Sequence, residues 1–351
     1  MKKGQKMKLI KAVIILSIIS FFSSMSHLNF TGEANSTMKI SNICYDAQST
    51  TGPVPPPNCG EGLDPRTITD SKIIEGVPAY LWHHGCGPTA AGMVIGYWDG
   101  KGFDELIDGD ASTQTEKVNN AIASVENYND YCVPIDYPPN LLPDKSEPPF
   151  GDEHDDNCIA DFMKTSQSYS KNYYGWSWFT DVGRALKNYI RWRNPKYMPI
   201  VESVYWNTLT WERFCREINE SHPIIFLVDT DGDGHTDHFI TAIGYDSHHH
   251  YACYNTWDTN IHWYNFAGIS AGKKWGIYGA VFCSIEKSPD TIPPEVNITK
   301  PVDGYLYVFG KERKNIGVTV ILGKISIEVD AEDTDSDIEK VEIYIDDEIK
   351  A

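Results

Sequence analysis

From about residue 77 to residue 286 the spacing of apolar positions changes from a helical to a strand period. Ala90, Met93, Val94, Tyr97 and Trp98 recur at the i, i+3, i+4, i+7, i+8 spacing of one helical face, and Pro88 suits a first helical turn. The same period returns over residues 180–192 and 208–219. His222-Pro223 then introduces the apolar run Ile224 to Val228, followed by strand-like stretches at Phe239–Tyr245, Tyr251–Trp257 and Tyr278–Ser284. Asp246 to His250, between the first two of these stretches, reads as a hairpin turn. Helices ahead of strands predict an α+β domain. Residues 128–157, rich in Pro, Asp and Tyr, hold no period and predict irregular chain.

Past Glu286 the texture changes. Ser288 to Pro294 reads as a linker, and short alternating stretches follow at 296–298, 305–309, 318–329 and 338–345, the pattern of an all-β sandwich. Around Lys340 to Asp347 this tail resembles the immunoglobulin-like modules appended to prokaryotic surface and secreted proteins. It runs to about sixty residues where such a sandwich takes about one hundred, so a truncated module is expected.

At the other end, residues 1–26 carry five lysines and no acid, then the apolar run Ala12 to Phe22, then small polar residues. That is the layout of a secretory signal peptide, with an apolar run too short to span a bilayer comfortably. Residues 27–75 are polar and include the stiff spacer Gly52 to Pro57. Four segments are therefore expected: a signal peptide at 1–26, a Pro-rich polar stretch at 27–75, a globular α+β domain at 76–287, and a linker with a partial immunoglobulin-like module at 288–351. The predicted location is secreted or at the extracellular surface after signal removal, with no membrane contact in the mature form.

The formal net charge of −19 becomes −24 without the five leader lysines, which argues against nucleic acid or anionic lipid as a partner. Eight cysteines occur, and export would permit bridges among them. Cys44 with Cys59 and Cys132 with Cys158 are the local pairings the spacing suggests. Cys215 shares a helical face with Trp211, Phe214 and Ile218 and reads as a buried free thiol.

Cys86 is different, because it sits where the first helix begins. Unpaired N–H groups and the positive end of the helix dipole favour a thiolate there, and Gly85 and Gly87 leave room for a substrate carbonyl. A cysteine nucleophile needs a base and a group to orient that base. His238 opens one strand, and Asn255 lies on its hairpin partner seventeen residues later. A Cys-led helix, then His with an apolar strand, then Asn255-Thr256-Trp257, resembles the papain-like cysteine peptidases. Within them, Val77 to Tyr97 together with Asp237-His238 through Gly244-Tyr245 is most similar to the C39-like peptidases of secreted prokaryotic proteins.

The resemblance implies a papain-like fold over residues 76–286. It implies Cys86 as nucleophile, His238 as general base and then acid, Asn255 as orienter, and Trp257 as a screen over the His–Asn bond. Asp258 is the rival orienter, since the C39-like group usually has aspartate there and a carboxylate stabilises imidazolium more strongly. The sequence departs from the family at Tyr80, where papain-like enzymes carry an oxyanion-binding glutamine. Trp82, His83 or His84 would then supply the second oxyanion donor beside the Cys86 N–H.

Asp229, Asp231, Asp233 and Asp237 alternate around two glycines, as oxygens do in calcium loops, against the plainer reading of a solvated acidic turn. Ile240 occupies the position of the EF-hand glutamate, so an EF-hand is excluded. His248 to His250 with His262 read as a solvated hairpin tip rather than a zinc site, and Gly151 to Asp156 as an exposed acidic loop. Tyr173, Tyr174, Trp176, Trp178, Trp206, Trp211 and Trp263 read mainly as core or cleft wall. The expected function is thus a secreted thiol hydrolase acting on a peptide or protein substrate, with no required cofactor and with structural calcium as an added expectation. The alternative is a non-catalytic module of the same fold, binding peptide or glycan at a cell surface.

Overall fold

The computed structural model describes residues 52–137, 140–288, 294–333, 340–345 and 348–349. The expected signal peptide and Cys44 lie outside them. In chain order come β1 (Lys72–Ile73), α1 (Cys86–Asp99), α2 (Glu116–Ile122), α3 (Val125–Asp130), α4 (Ile159–Phe162) and α5 (Phe179–Arg193). They are followed by β2 (Tyr197–Tyr205), α6 (Trp211–Asn219), β3 (Ile224–Asp229), β4 (His238–Tyr245), β5 (His250–Tyr254), β6 (His262–Asn265) and β7 (Gly276–Lys287).

α1 is buried on every side rather than along one stripe: Trp98 alone of its residues is not buried. Small residues make that burial feasible. A Cβ on Gly92 would lie 2.7 Å from Ile122 Cγ1, and one on Gly96, a turn later, would collide with the Tyr80 hydroxyl. Tyr80 therefore lies along the helix, with its hydroxyl donating to the Ala111 carbonyl. The short helices α2 and α3, like α6, begin at a Thr or Ser whose hydroxyl accepts an N–H of the first turn.

The strands form one antiparallel sheet in the order β2-β7-β3-β4-β5-β6, with β1 added against β4. Ile225, Thr241 and Val281 stand in register across β3, β4 and β7 and face α1 and α5. Thr241 donates to the Ala90 carbonyl at 3.0 Å, and a Cβ on Gly183 of α5 would approach Val281. The opposite face carries Phe226, which meets Phe214 of α6. Covered on both faces, β3 is fully buried, which is why its sequence is a continuous apolar run. One expected strand is shorter than predicted: β5 ends at Tyr254, and residues 255–260 form a turn.

Two further expectations change. Cys132 and Cys158 are both free and buried, so the proposed bridge between them is not formed; Cys132 donates to Asn127 Oδ1 and Ser166 Oγ, and Cys158 caps α4. Cys215 is free as expected, but half-buried. The acidic loop at 151–156 is mainly exposed, yet its histidine turns inward. His154 Nδ1 lies 2.8 Å from Asp130 and Nε2 3.1 Å from Asp161, and Lys145 also pairs with Asp130.

Beyond Ser288 the chain is made of short strands. β8 (Glu295–Lys300), β9 (Tyr305–Val308), β10 (Lys311–Asn315), β11 (Val320–Leu322), β12 (Glu328–Glu332), β13 (Tyr344–Ile345) and β14 (Glu348–Ile349) form three small sheets. The stretch expected as one strand at 318–329 is divided between β11, parallel to β9, and β12, antiparallel to β8.

The His154 clamp makes a prediction. Burial alone would lower the histidine's pKa, but the carboxylates of Asp130 and Asp161 outweigh it and raise the pKa above 6.5. Protonation is then favoured in the folded chain. The clamp's contribution should be fully present below pH 6.5 and lost as pH rises through the folded value. His154→Gln should cost about 1–3 kcal/mol at pH 6, the range of a charge-assisted bond, and clearly less at pH 9, measured by urea unfolding.

Candidate active site

The mouth of α1 is shaped by Gly85. Its φ of +151° is a backbone region that L side chains rarely adopt, and a Cβ there would lie 2.9 Å from Pro88 and 3.0 Å from Thr165. Thr89 reinforces the turn by donating to the Gly85 carbonyl at 2.7 Å and accepting the His83 N–H at 2.9 Å. Cys86 follows directly, as the first residue of the helix, and is fully buried.

β4 delivers His238 to the same region. Phe239 packs against Gly87, where a Cβ would lie 3.2 Å from its ring, and Thr241 is bonded to Ala90. The residue before Phe239 and the residue before Gly87 are His238 and Cys86. His238 is itself fully buried, and its Nε2 lies 2.6 Å from the main-chain carbonyl of Asn255. A carbonyl only accepts, so Nε2 carries the proton and the lone pair of the neutral ring is on Nδ1. Burial pushes the His238 pKa down to about 3, against the smaller opposing effect of the Asn255 carbonyl. The Trp257 indole stacks on the imidazole at 4.0 Å and 11°.

The expected contact from Asn255 is present, but through a different atom. β5 has already ended at Tyr254, and the Asn255 side chain is engaged within the turn that follows. Its Oδ1 accepts the N–H groups of Trp257 at 3.0 Å and Asp258 at 3.3 Å, and the amide also bonds with the Tyr264 hydroxyl. The rival Asp258 is engaged elsewhere, with His262 Nε2 at 2.9 Å. Thr256, which sequence reasoning passed over, has φ +67°, and its carbonyl accepts the Trp82 N–H at 2.6 Å. The turn after β5 is thereby tied to both the histidine and the loop leading to Cys86.

The oxyanion candidates separate. His83 Nε2 lies 3.2 Å from the Ala123 carbonyl, and His84 stacks between His83 and Tyr128, so both rings face the α2–α3 junction. Burial lowers both, His84 to about 4. Trp82 packs on Tyr174 and beside Gly175. Buried next to Gly85 and Gly87 are two hydroxyls that no sequence pattern pointed to: Thr165 and Ser177, 2.7 Å apart.

In the acidic loop, Asp229, Asp231 and Asp233 bring carboxylate oxygens within 4.8 Å of one another. Asp237 departs from the expectation: it accepts bonds from the Thr230 N–H and hydroxyl instead, and burial raises its pKa to about 7. Asp229 accepts the N–H groups of Gly232 and Gly234. At the hairpin tip His248 is exposed, His249 stacks on Trp211, and His250 pairs with Asp246.

A family model described as the Peptidase_C39 like family matches residues 74–281, more than half of the chain. The chain belongs to the C39-like peptidase family. That span begins ahead of the loop leading to Cys86 and ends within β7, enclosing the candidate site. No curated protein matches the chain. Among solved structures, one titled "active wild-type Prevotella intermedia interpain A cysteine protease" is 13% identical, covering 64% of this chain and 98% of its own at a TM-score of 0.36. A putative C39-like peptidase from Bacillus anthracis is 12% identical, covering 63% and 100%, at 0.33. Among the described residues no helix is long and apolar enough to cross a membrane.

The burial of His238 predicts its titration. In nitrogen-15 spectra of the folded protein its Nε2 should be protonated and Nδ1 bare, with the ring staying neutral from pH 7 to below pH 4. An ordinary midpoint near 6.5 would contradict the geometry described.

Proposed function

We propose that the protein is a cysteine peptidase that cleaves peptide or related amide bonds through Cys86. The observation that carries this reading is the buried His238 beside the mouth of α1, with Nε2–H held by the Asn255 carbonyl and the Nδ1 lone pair available as a base. In the first step the Cys86 thiol proton passes to His238 Nδ1 and Sγ bonds to the substrate carbonyl carbon, moving the carbonyl electron pair onto oxygen. The first-turn N–H groups of α1 are suited to stabilise that oxyanion. Its collapse breaks the C–N bond, and His238 gives its proton to the departing amine, leaving a thioester on Cys86. Water, deprotonated by His238, then releases the acid and restores the thiol.

Asn255 acts in this account through its main chain, its side chain holding the turn that aims the carbonyl. We read residues 1–26 as a secretion signal and the strands beyond Ser288 as an immunoglobulin-like module for placement at a surface. One observation favours the second reading, a non-catalytic binding module: Tyr80, in the glutamine position, spends its hydroxyl on Ala111 in the core.

Turnover separates the two readings. Cys86→Ala should lower peptide hydrolysis by at least about a thousandfold while keeping the fold, the scale of losing a triad member. Equal turnover in the Ala variant and the parent would reject the peptidase reading. Asn255→Ala removes two N–H caps of about 1 kcal/mol each and should cost roughly tenfold or more in turnover. Asn255→Asp, which keeps an acceptor for both caps, and Asp258→Ala should each stay within about threefold by the same conversion.

The three gathered carboxylates form a hard-oxygen donor set that suits calcium, and we propose that calcium steadies the loop leading into His238. Millimolar calcium should raise the melting temperature, and Asp231→Ala with Asp233→Ala should remove the rise. An unchanged melting curve would leave a plain acidic turn.

A further inference from the structure

A segment of the chain's own N-terminal region lies against the aromatic side of the candidate site. The Trp257 indole N–H donates to the Gly52 carbonyl at 3.0 Å, and the Trp275 indole N–H to the Gly60 carbonyl at 2.7 Å. Lys274 Nζ donates to the Asn58 carbonyl at 2.8 Å. In the other direction, the Gly60 N–H donates to the Thr230 carbonyl at 2.9 Å and the Leu63 N–H to the Trp263 carbonyl at 2.8 Å. All five bonds use the main chain of residues 52–63.

The chemistry of the two sides is complementary. Pro53, Pro55, Pro56 and Pro57 have no N–H, so this stretch, which turns where the Cys59 N–H donates to the Pro56 carbonyl at 3.0 Å, offers mainly carbonyl acceptors. The surface presents two indole donors and an ammonium. The fit is close at Gly60, where a Cβ would lie 2.7 Å from Lys274 Cβ and 3.0 Å from Trp275 Cδ1. Trp257, which holds Gly52, is the same indole that stacks on His238, and Trp275 packs edge-on to both. On its other side, a Cβ on Gly52 would lie 3.9 Å from the Tyr137 hydroxyl, and Tyr137 leads through Tyr174 to Trp82 in the nucleophile loop. Gly52 thus lies between a wall linked to His238 and a wall linked to Cys86. Both of those residues have no exposed surface.

We propose that Trp257, Trp263, Lys274 and Trp275 form a docking groove for a Pro- and Gly-rich peptide backbone, and that residues 52–63 fill it as an intramolecular competitor of substrate. The competitive role rests on the peptidase reading; the docking groove does not. A tethered occupant acts at an effective concentration of about millimolar, so modest bonds keep it seated. Cutting the tether and diluting to micromolar lowers that concentration roughly a thousandfold.

Thr69, Asp70 and Ser71, between residues 52–63 and β1, are exposed. A recognition sequence for a site-specific protease inserted between Asp70 and Ser71 allows the full chain to be nicked after it has folded. A second full-length variant, Gly60→Val, pushes a branched side chain into Lys274 and Trp275 without nicking. Iodoacetamide labelling of Cys86, read by peptide mass, should speed up at least tenfold in both. A fluorescein-tagged peptide of residues 52–63 should bind the nicked protein by anisotropy and slow the labelling again. Labelling rates within twofold of the intact chain in both variants, or no binding of the tagged peptide, would overturn the proposal. Binding and labelling as expected, with no hydrolysis of any peptide by the nicked protein, would leave the groove standing and reject the peptidase reading.

Discussion

Two successive main-chain carbonyls in one turn hold the candidate site together. The carbonyl of Asn255 accepts from His238 and the carbonyl of Thr256 from Trp82, each at 2.6 Å. His238 on the sheet and the loop that leads to Cys86 are therefore fastened to adjacent peptide units. The arrangement requires Thr256, a β-branched residue, at φ +67°, a conformation that costs roughly 1–3 kcal/mol. The Asn255 side chain offsets part of that strain by capping Trp257 and Asp258. Strain concentrated beside a buried imidazole is the kind the surrounding structure must over-determine, and the packed Trp257, Trp275 and Tyr264 rings do so.

Burial sets the electrostatics of the domain. His83, His84 and His238 are all pushed below the ordinary histidine value by desolvation, so the unfolded chain binds more protons than the folded one as pH falls below 6.5. These three groups weaken the fold on the acid side, whereas His154, clamped between Asp130 and Asp161, works in the opposite sense. The same covering that keeps His238 neutral also excludes water from it. Access to the site and the protonation of His238 are for that reason linked through the residues that cover it.

Much of this was legible in the chain itself. α5 and α6 fall within a few residues of their apolar periods, and the fully buried β3 and the hairpin of β4 and β5 follow directly from apolar runs bounded by a turn. Cys86 could be assigned to a helix mouth because Pro88 suits the first turn and the apolar helical face begins at Ala90. What the pattern concealed was the end of β5. A strand running through Trp257 would aim the Asn255 side chain at the imidazole, and a turn after Tyr254 presents the carbonyl instead. Nothing in single-residue chemistry marks a main-chain acceptor. Likewise, the short helices α2 and α3 fall below the length at which a period can be read, and the inward turn of His154 depends on Asp130 and Asp161, far from it in local pattern. The Pro-rich spacer reads as solvated chain until the indole donors that meet its carbonyls are seen.

A main-chain carbonyl, that of Asn255, holds the His238 imidazole. Scalar coupling across the hydrogen bond tests it directly, in protein labelled with nitrogen-15 histidine and with carbon-13 in asparagine and aspartate. A coupling from His238 Nε2 to the main-chain carbonyl carbon of Asn255 is the predicted result. A coupling to the Asn255 side-chain amide carbon or to the Asp258 carboxyl carbon would contradict the account.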